Sequence, residues 1–342
     1  MATGSTRFTN PHLTSLRALG RRTVITTTLL VLVFATVLQG CARIRENRAE
    51  AAYPPTGQLL DIEGTDVHVK VMGDGPDLVM IHGASGSMRD FTFAFAERMS
   101  DRYRVILMDR PGLGWTERPG NAYEGAWNAR SESPRVQARL LQAAADRLGV
   151  TDPIVLGHSY GGAVALAWGL ERPDDTAALV LVSAASNPWP GDLGLLYKVN
   201  SSPAGGALVI PVITAFVPEP VIRSTLSSIF APQSAPDGYL DHFGPDMTLR
   251  RSAMRANAQQ VNSLRPHVVE MSAHYPSLRM PTEIVHGTAD TIVPIDIHSE
   301  PLARQIPGAN LTRLEGIGHM PHHVDPQAVA AAVDRAARRA GL

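Results

Sequence analysis

The sequence predicts an α/β fold in which a mostly parallel sheet is covered by helices on both faces. Short, continuously apolar runs recur along the chain, as expected for central strands that are buried on both faces. Helical patterns alternate with these runs, which is the order of βαβ units. The 342 residues are 44% apolar and 18% charged, enough for one large domain with an insertion or for two smaller domains.

The predicted elements follow one another in the order that such a fold needs. Segments 58–62 and 67–72 flank Glu63-Gly64-Thr65-Asp66 and predict a hairpin. Further strands are predicted at residues 77–81, 104–108, 153–156, 178–182 and 283–285. Helices are predicted at residues 91–99, 134–148, 160–171 and 326–339.

Residues 187–281 separate two of the predicted strands and are too numerous for a loop. Helical patterns occur at 206–216, 220–230 and 248–263, so we expect a helical cap over the sheet edge. Its apolar side chains either line an apolar acyl or alcohol pocket or pack the cap onto the core. These side chains are Leu195, Leu196, Leu208, Val209, Ile210, Ile213, Phe216 and Ile229.

The N-terminal residues 1–41 resemble an export or anchor segment. A basic start precedes an apolar run at 23–38, which is shorter than the roughly 20 residues that span a bilayer comfortably. Cys41 follows a small residue, as in a bacterial lipoprotein signal whose cysteine is lipidated. Three arginines between residues 43 and 48 oppose translocation, so a retained signal anchor and simple secretion are the alternatives. Each interpretation places the remaining chain at or beyond the membrane of a bacterial cell envelope.

Charge and cysteine content exclude several classes of protein. The net charge is −1, and because Arg7, Arg17, Arg21 and Arg22 precede residue 41 without any acid, the remainder carries about −5. Such a surface gives no electrostatic reason to bind nucleic acid. Cys41 is the single cysteine, which excludes an internal disulfide and a cysteine-based metal cluster.

The segment Gly157-His158-Ser159-Tyr160-Gly161 lies between a predicted strand and a predicted helix. This G-x-S-x-G pattern is typical of a sharp turn that lifts a serine hydroxyl clear of the backbone, with glycines supplying the room. The helix that follows directs its amides and its positive dipole end at developing negative charge. We interpret His158 as a supporting residue, because a neighbour on so tight a turn points elsewhere.

In this context the sequence resembles the α/β-hydrolase superfamily, and the resemblance covers residues 57–342. It implies the α/β-hydrolase fold, with an inserted helical cap. In similar enzymes the His-Gly turn after the third strand and the residue after the nucleophile donate backbone N–H groups to the oxyanion. That correspondence implies Ala84, in the segment Ile81-His82-Gly83-Ala84, and Tyr160 as the oxyanion hole.

The resemblance also implies the catalytic base and acid. Gly316-Ile317-Gly318-His319 is similar to the family's histidine loop, and His322 and His323 are weaker alternatives at the start of the next helix. The acid belongs between nucleophile and base in chain order. Gly287-Thr288-Ala289-Asp290 precedes Val293-Pro294 and is similar to a frequent acid loop, so we expect the triad Ser159, Asp290 and His319.

A serine nucleophile points to acyl transfer to water, and ester hydrolysis is its commonest use. A C–C bond hydrolase, a cofactor-free perhydrolase and a non-catalytic binding protein are the alternatives. No metal or organic cofactor is implied; the expected partners are a small-molecule ester and, through the N-terminus, a membrane.

The expected organisation of the chain is a signal or anchor segment at residues 1–41, a tether at 42–56, the first part of the core at 57–186, the cap at 187–281 and the second part of the core at 282–342.

Overall fold

The computed structural model describes the backbone from residue 11 and the side chains from residue 21. Arg7 and the rest of residues 1–10, which belong to the predicted signal segment, lie outside the described residues. The strands, β1 to β8 in chain order, are Gln58–Ile62, Thr65–Met72, Asp77–Ile81, Arg104–Met108, Ile154–His158, Ala178–Val182, Thr282–Gly287 and Asn310–Leu314.

These strands form one sheet in the order β1-β2-β4-β3-β5-β6-β7-β8. The β1–β2 and β2–β4 pairs are antiparallel, and every pair from β4 to β8 is parallel. The central strands β5 and β6 are buried along their whole length, as their continuous apolar sequences require. The sheet confirms the predicted fold class.

Fourteen α-helices are described from residue 11 onwards, and capping residues mark the start of some of them. In chain order, α1 to α14 are Pro11–Ala52, Arg89–Thr92, Phe95–Ser100, Pro134–Arg147, Tyr160–Glu171, Leu195–Ser201, Ile210–Phe216, Glu219–Phe230, Tyr239–Phe243, Pro245–Thr248, Arg251–Ser272, Ser299–Gln305, Pro321–Val324 and Pro326–Ala340. Ser133 caps α4 by accepting a hydrogen bond from the Val136 N–H at 3.2 Å, and Asp325 caps α14 through Ala328.

Apolar helix faces cover both sides of the sheet. Trp168 of α5 and Met271 of α11 pack into one hydrophobic cluster. Phe91 of α2 and Val333 of α14 pack into the cluster on the opposite side. Burial of side chains of this size is the main free-energy term that holds the layers together.

The insert between β6 and β7 is helical, with α6 to α11 in sequence and no strand among its residues. The structure differs from the sequence prediction in detail. The helix predicted at 91–99 is two helices, because Ala94 has a non-helical φ of −158° and ψ of −37°. The helix predicted at 248–263 begins at Arg251 and continues to Ser272, past Pro266.

The N-terminal helix α1 is continuous through the apolar run and through Cys41. Residues 42–52, expected as part of a tether, are therefore helical. Glu46 and Ala49 are buried because this end of α1 packs against α7 and α10 of the cap. Among the described residues, the segment Arg21–Ala52 is long and apolar enough to cross a membrane. Its most apolar stretch of 18 residues has a mean hydropathy of 2.0, and 6% of that stretch is buried within the protein.

Candidate active site

Ser159 lies on a strained turn between β5 and α5. Its φ of 54° and ψ of −119° place it in a region that side-chain-bearing residues rarely adopt. A Cβ built on Gly157 would lie 2.3 Å from the Gly161 carbonyl oxygen, and one on Gly161 would lie 2.2 Å from the Ile81 carbonyl oxygen. The turn therefore needs glycine at both positions, which is the physical basis of the sequence pattern.

His319 and Asp290 are paired at the carboxyl end of the sheet. The His319 Nδ1 atom lies 2.7 Å from Asp290 Oδ2, and both side chains are buried. The backbone N–H groups of Ile292 and Val293 each donate to Asp290 Oδ1 at 2.9 Å. His286 Nε2 lies 3.2 Å from Asp290 Oδ2. Asp290 is thus held in one orientation, in which it fixes the ring of His319.

These donors also keep the Asp290 carboxyl ionised. Burial would raise its pKa, but hydrogen bonds from His286 and His319 outweigh burial, so the pKa of Asp290 lies well below its ordinary value. A carboxylate beside His319 Nδ1 requires the proton on that nitrogen. The Nε2 atom of a neutral His319 then carries the lone pair that a general base needs.

The loop after β3 approaches Ser159 closely. A Cβ on Gly83 would lie 3.1 Å from the Cβ of Ser159 and from His158 Nδ1. His82 holds the loop: its Nε2 accepts a hydrogen bond from the Arg110 N–H, and its Nδ1 donates to the Gly83 carbonyl, both at 2.9 Å. Ala84 lines the cavity beside Ser159. Tyr160 is the first residue of α5, where a backbone N–H has no intrahelical acceptor.

Ser159, His319 and Ala84 line one cavity of about 420 Å³ between the sheet and the cap. Most of the wall is apolar and comes from the cap helices α6 to α11, among which α8 contributes the most residues. Of the eight apolar cap residues that the sequence singled out, Leu196, Ile213 and Ile229 line this cavity. Leu195, Leu208 and Phe216 are exposed and do not line it. The volume of the cavity and its mostly apolar lining are typical of sites that bind small molecules.

Residues 78–332 match the family model of the alpha/beta hydrolase family. The chain belongs to that family. The match covers the sheet from β3 onwards, the cap and all three residues proposed as the triad.

Individual relatives of this hydrolase differ in their chemistry. A 2-hydroxy-6-oxononadienedioate/2-hydroxy-6-oxononatrienedioate hydrolase of Klebsiella pneumoniae is 28% identical over 268 residues, 74% of this chain and 84% of that protein. The structure of an esterase from a Rhodococcus species is similar with a TM-score of 0.61 and 22% identity, over 81% of this chain and 96% of that one. The structure of a membrane phospholipase A, a bacterial virulence factor, is similar with a TM-score of 0.65 and 19% identity, over 94% and 99%.

Several residues around the site were not anticipated by the sequence analysis. Asn257 of the cap helix α11 bonds to the backbone N–H of Ser85 at 2.6 Å and to its hydroxyl at 2.8 Å, and so fixes the loop that carries Ala84. His322 and His323, the alternative bases, contact Asp90 rather than Asp290. Asp90 follows the loop after β3 by a few residues, but only the fold brings it to residues 322 and 323.

Proposed function

We propose that this hydrolase cleaves a carboxylic ester through an acyl-enzyme intermediate on Ser159. The observation that carries the proposal is the shared cavity. Ser159, on its strained turn, opens into the same space as His319, whose ring is bound to the buried carboxylate of Asp290. A nucleophile, a base and an orienting acid in one apolar cavity are the parts that acyl transfer needs.

The chemistry follows from these positions. His319 Nε2 takes the proton of the Ser159 hydroxyl while the serine oxygen attacks the ester carbonyl. The backbone N–H groups of Ala84 and Tyr160 stabilise the resulting oxyanion, each by about 10²–10³-fold in rate. The alcohol leaves with the proton from His319. Water, deprotonated by the same ring, then hydrolyses the acyl-enzyme and releases the acid.

The cavity favours an apolar acyl or alcohol group. Among the described residues that line it, no lysine or arginine occurs, and Asp90 contributes a carboxylate. Burying a hydrocarbon chain against Ile213, Val221 or Phe230 would gain about 0.8 kcal/mol per methylene. The ester function of the similar Rhodococcus esterase and of a phospholipase A is consistent with this class of substrate.

A C–C bond hydrolase is the second candidate, because the Klebsiella relative is a hydrolase of dienedioates and trienedioates. Its name specifies two carboxylate groups on the substrate. The cavity of the present chain offers no cationic side chain among its described lining to pair with either of them. Product analysis with a dicarboxylate and a neutral diketone separates the candidates: release of acid from the diketone, without ester turnover, would favour C–C cleavage.

Two assays test the proposal. A fluorophosphonate probe should label the wild type and not Ser159→Ala. Ser183→Ala is the matched control, because Ser183 also has a positive φ, 44°, and directly follows the neighbouring strand β6. Turnover of p-nitrophenyl esters of graded acyl length should rise with chain length until the cavity is filled. Folded wild type that neither reacts with the probe nor hydrolyses any of these esters would contradict the proposal.

We further propose that α1 holds the hydrolase at a membrane. Arg45 of α1 donates to Asp246 at 3.0 Å and to the Val217 carbonyl at 2.9 Å, and Glu46 pairs with Arg251 at 2.7 Å. The similarity to the membrane phospholipase A covers 94% of the chain, which is more than residues 57–342. Fractionation should recover the full chain with membranes, and mass spectrometry of Cys41 separates a lipidated terminus from an intact helix. Recovery in the soluble fraction would contradict the proposal.

A further inference from the structure

Asp90, His322 and His323 form a buried cluster beside the proposed triad. The Nε2 atom of His322 lies 3.1 Å from Asp90 Oδ2, and the Nε2 atom of His323 lies 2.8 Å from Asp90 Oδ1. One ligand atom from each of the three side chains lies within 4.8 Å of the other two. The exposed fractions of these side chains are 5%, 0% and 1%. A carboxylate with two imidazoles is a donor set for a divalent transition metal.

His158 supplies an independent observation. Its side chain is 4% exposed, and its Nε2–H donates to the His319 carbonyl at 2.9 Å. A neutral ring with its proton on Nε2 presents a lone pair at Nδ1. That Nδ1 atom has no hydrogen-bond partner among the residues that the structure describes, and it lies 3.9 Å from Asp90 Oδ2. This distance is too long for a hydrogen bond, so a buried lone pair faces a carboxylate.

A cation between these groups removes the mismatch. Four ligands at about 2.0–2.1 Å from a tetrahedral ion are separated from one another by about 3.3 Å. The Asp90–His322 and Asp90–His323 separations of 3.1 and 2.8 Å are close to that value and slightly below it. We propose that Asp90, His322 and His323 bind one divalent transition-metal ion, with zinc as the best match to two imidazoles and one carboxylate, and that the unpartnered Nδ1 atom of His158 faces this site.

Neighbouring groups are placed as outer partners of such a site. The Tyr239 hydroxyl donates to Asp90 Oδ1 at 2.8 Å and orients the carboxylate. The His158 Nε2–H bond to the His319 carbonyl orients that ring in the same way. Ligating histidines commonly hold their second nitrogen by such a bond to a carbonyl or carboxylate. The ion would connect α2 with α13, which directly follows the loop that carries His319.

Metal binding by the full-length protein in detergent tests the proposal directly. The chain is purified without a histidine tag, stripped with a chelator, and titrated with Zn²⁺ against a chromophoric chelator. The expected result is one zinc ion per chain with a Kd below micromolar, and a Tm that rises when zinc is added. Stripped wild type that is folded by circular dichroism but binds no zinc tighter than micromolar would overturn the proposal.

Variants locate the ion. Asp90→Asn and His323→Gln should each weaken zinc binding by at least about 100-fold and should abolish the rise in Tm. His267→Gln, on the outer part of α11, is the control and should bind zinc like the wild type. Because Asp90→Asn could disturb folding, Co²⁺ spectra of the wild type give a second measurement, and tetrahedral bands are expected. Zinc binding that is equal in the wild type and in both folded variants would place the ion elsewhere and overturn the assignment.

Discussion

The sheet core and the cap with its N-terminal helix hold the site in different ways. In the core, short segments of chain fix their own geometry: Ser159 is placed by glycines two residues before and two residues after it, and Asp290 by the N–H groups of residues 292 and 293. In the cap, side chains reach across the fold, as Arg45 does to Asp246 over 201 residues. The comparison indicates that local sequence sets the proposed chemistry, whereas long-range contacts set the pocket.

The largest expected effect is on the proposed triad, within the core. Asp290→Asn should lower kcat about 10⁴-fold, because the ring of His319 loses the partner that fixes its proton on Nδ1. His319→Ala should lower kcat at least as much. The measurement is steady-state hydrolysis of the best p-nitrophenyl ester. His274→Ala, an exposed histidine beyond the end of α11, is the control, and equal losses in all three variants would contradict the assignment.

Replacing one glycine in the core and one in the cap tests how closely the backbone of each region is packed. Gly161→Ala should cost several kcal/mol or prevent folding, since its Cβ would lie 2.2 Å from one backbone carbonyl and 2.6 Å from another. Gly194→Ala, at the start of the cap helix α6, has nothing within 4 Å and should change stability by less than about 1 kcal/mol. Chemical denaturation measures both. Similar losses of unfolding free energy at the two positions would contradict the predicted difference in packing between core and cap.

Acid should weaken the core through buried histidines. Burial is the main cause that lowers the pKa of His82, near Asp109 and Arg110, and of His298 to about 4 in each case. Each ring accepts backbone N–H hydrogen bonds. Between pH 6.5 and 4 the unfolded chain therefore binds more protons than the folded chain, and stability present above 6.5 is lost as the pH falls.

By pH 5 each of these histidines should have cost roughly 2 kcal/mol, at about 1.36 kcal/mol per pH unit. Unfolding free energies measured from pH 7.5 to 5 test the prediction. His298→Gln cannot titrate and should flatten the slope by nearly one proton. A slope that is unchanged in this variant would show that His298 does not contribute.

The smallest effect is expected where α1 meets the cap. Glu46→Gln should lower stability by about 1–3 kcal/mol, because the side chain of Glu46 is 7% exposed and Arg251 loses its charged acceptor. Glu219→Gln, in an exposed i,i+4 pair with Arg223, should cost no more than about 0.5 kcal/mol. Thermal unfolding in detergent compares the two variants. An equal effect would indicate that α1 is not firmly docked.

The elements of the fold that the sequence predicted are those with a clear pattern of apolar residues over a short stretch of chain. Seven of the eight strands were predicted, because continuous apolar runs such as 178–182 have few other interpretations. The edge strand β8, Asn310–Leu314, was missed because it is largely exposed and partly polar. The helix α12, Ser299–Gln305, was missed as well, since seven residues give little periodicity.

The candidate site shows the same limit. Ser159, Asp290 and His319 each belong to a recognisable local pattern, and the fold brings Asp290 and His319 to 2.7 Å. Asp90 has no such pattern, and its histidine partners, His322 and His323, are more than 230 residues away. The helical continuation of α1 through residues 42–52 was also missed. The ion pair between Glu46 and Arg251 stabilises that segment, and the sequence around Glu46 does not predict this pairing.

The length of α1 has a consequence for how substrate arrives. Forty-two residues at 1.5 Å rise form a rod of about 63 Å, roughly twice the thickness of the hydrocarbon layer of a bilayer. If α1 lies in a membrane, as proposed, its end that packs against α7 and α10 would hold the cavity at one height and one tilt above the lipid. The enzyme would then meet a membrane-bound, amphiphilic substrate by diffusion in the plane of the membrane. The rate of turnover would depend on the surface density of that substrate rather than on its bulk concentration.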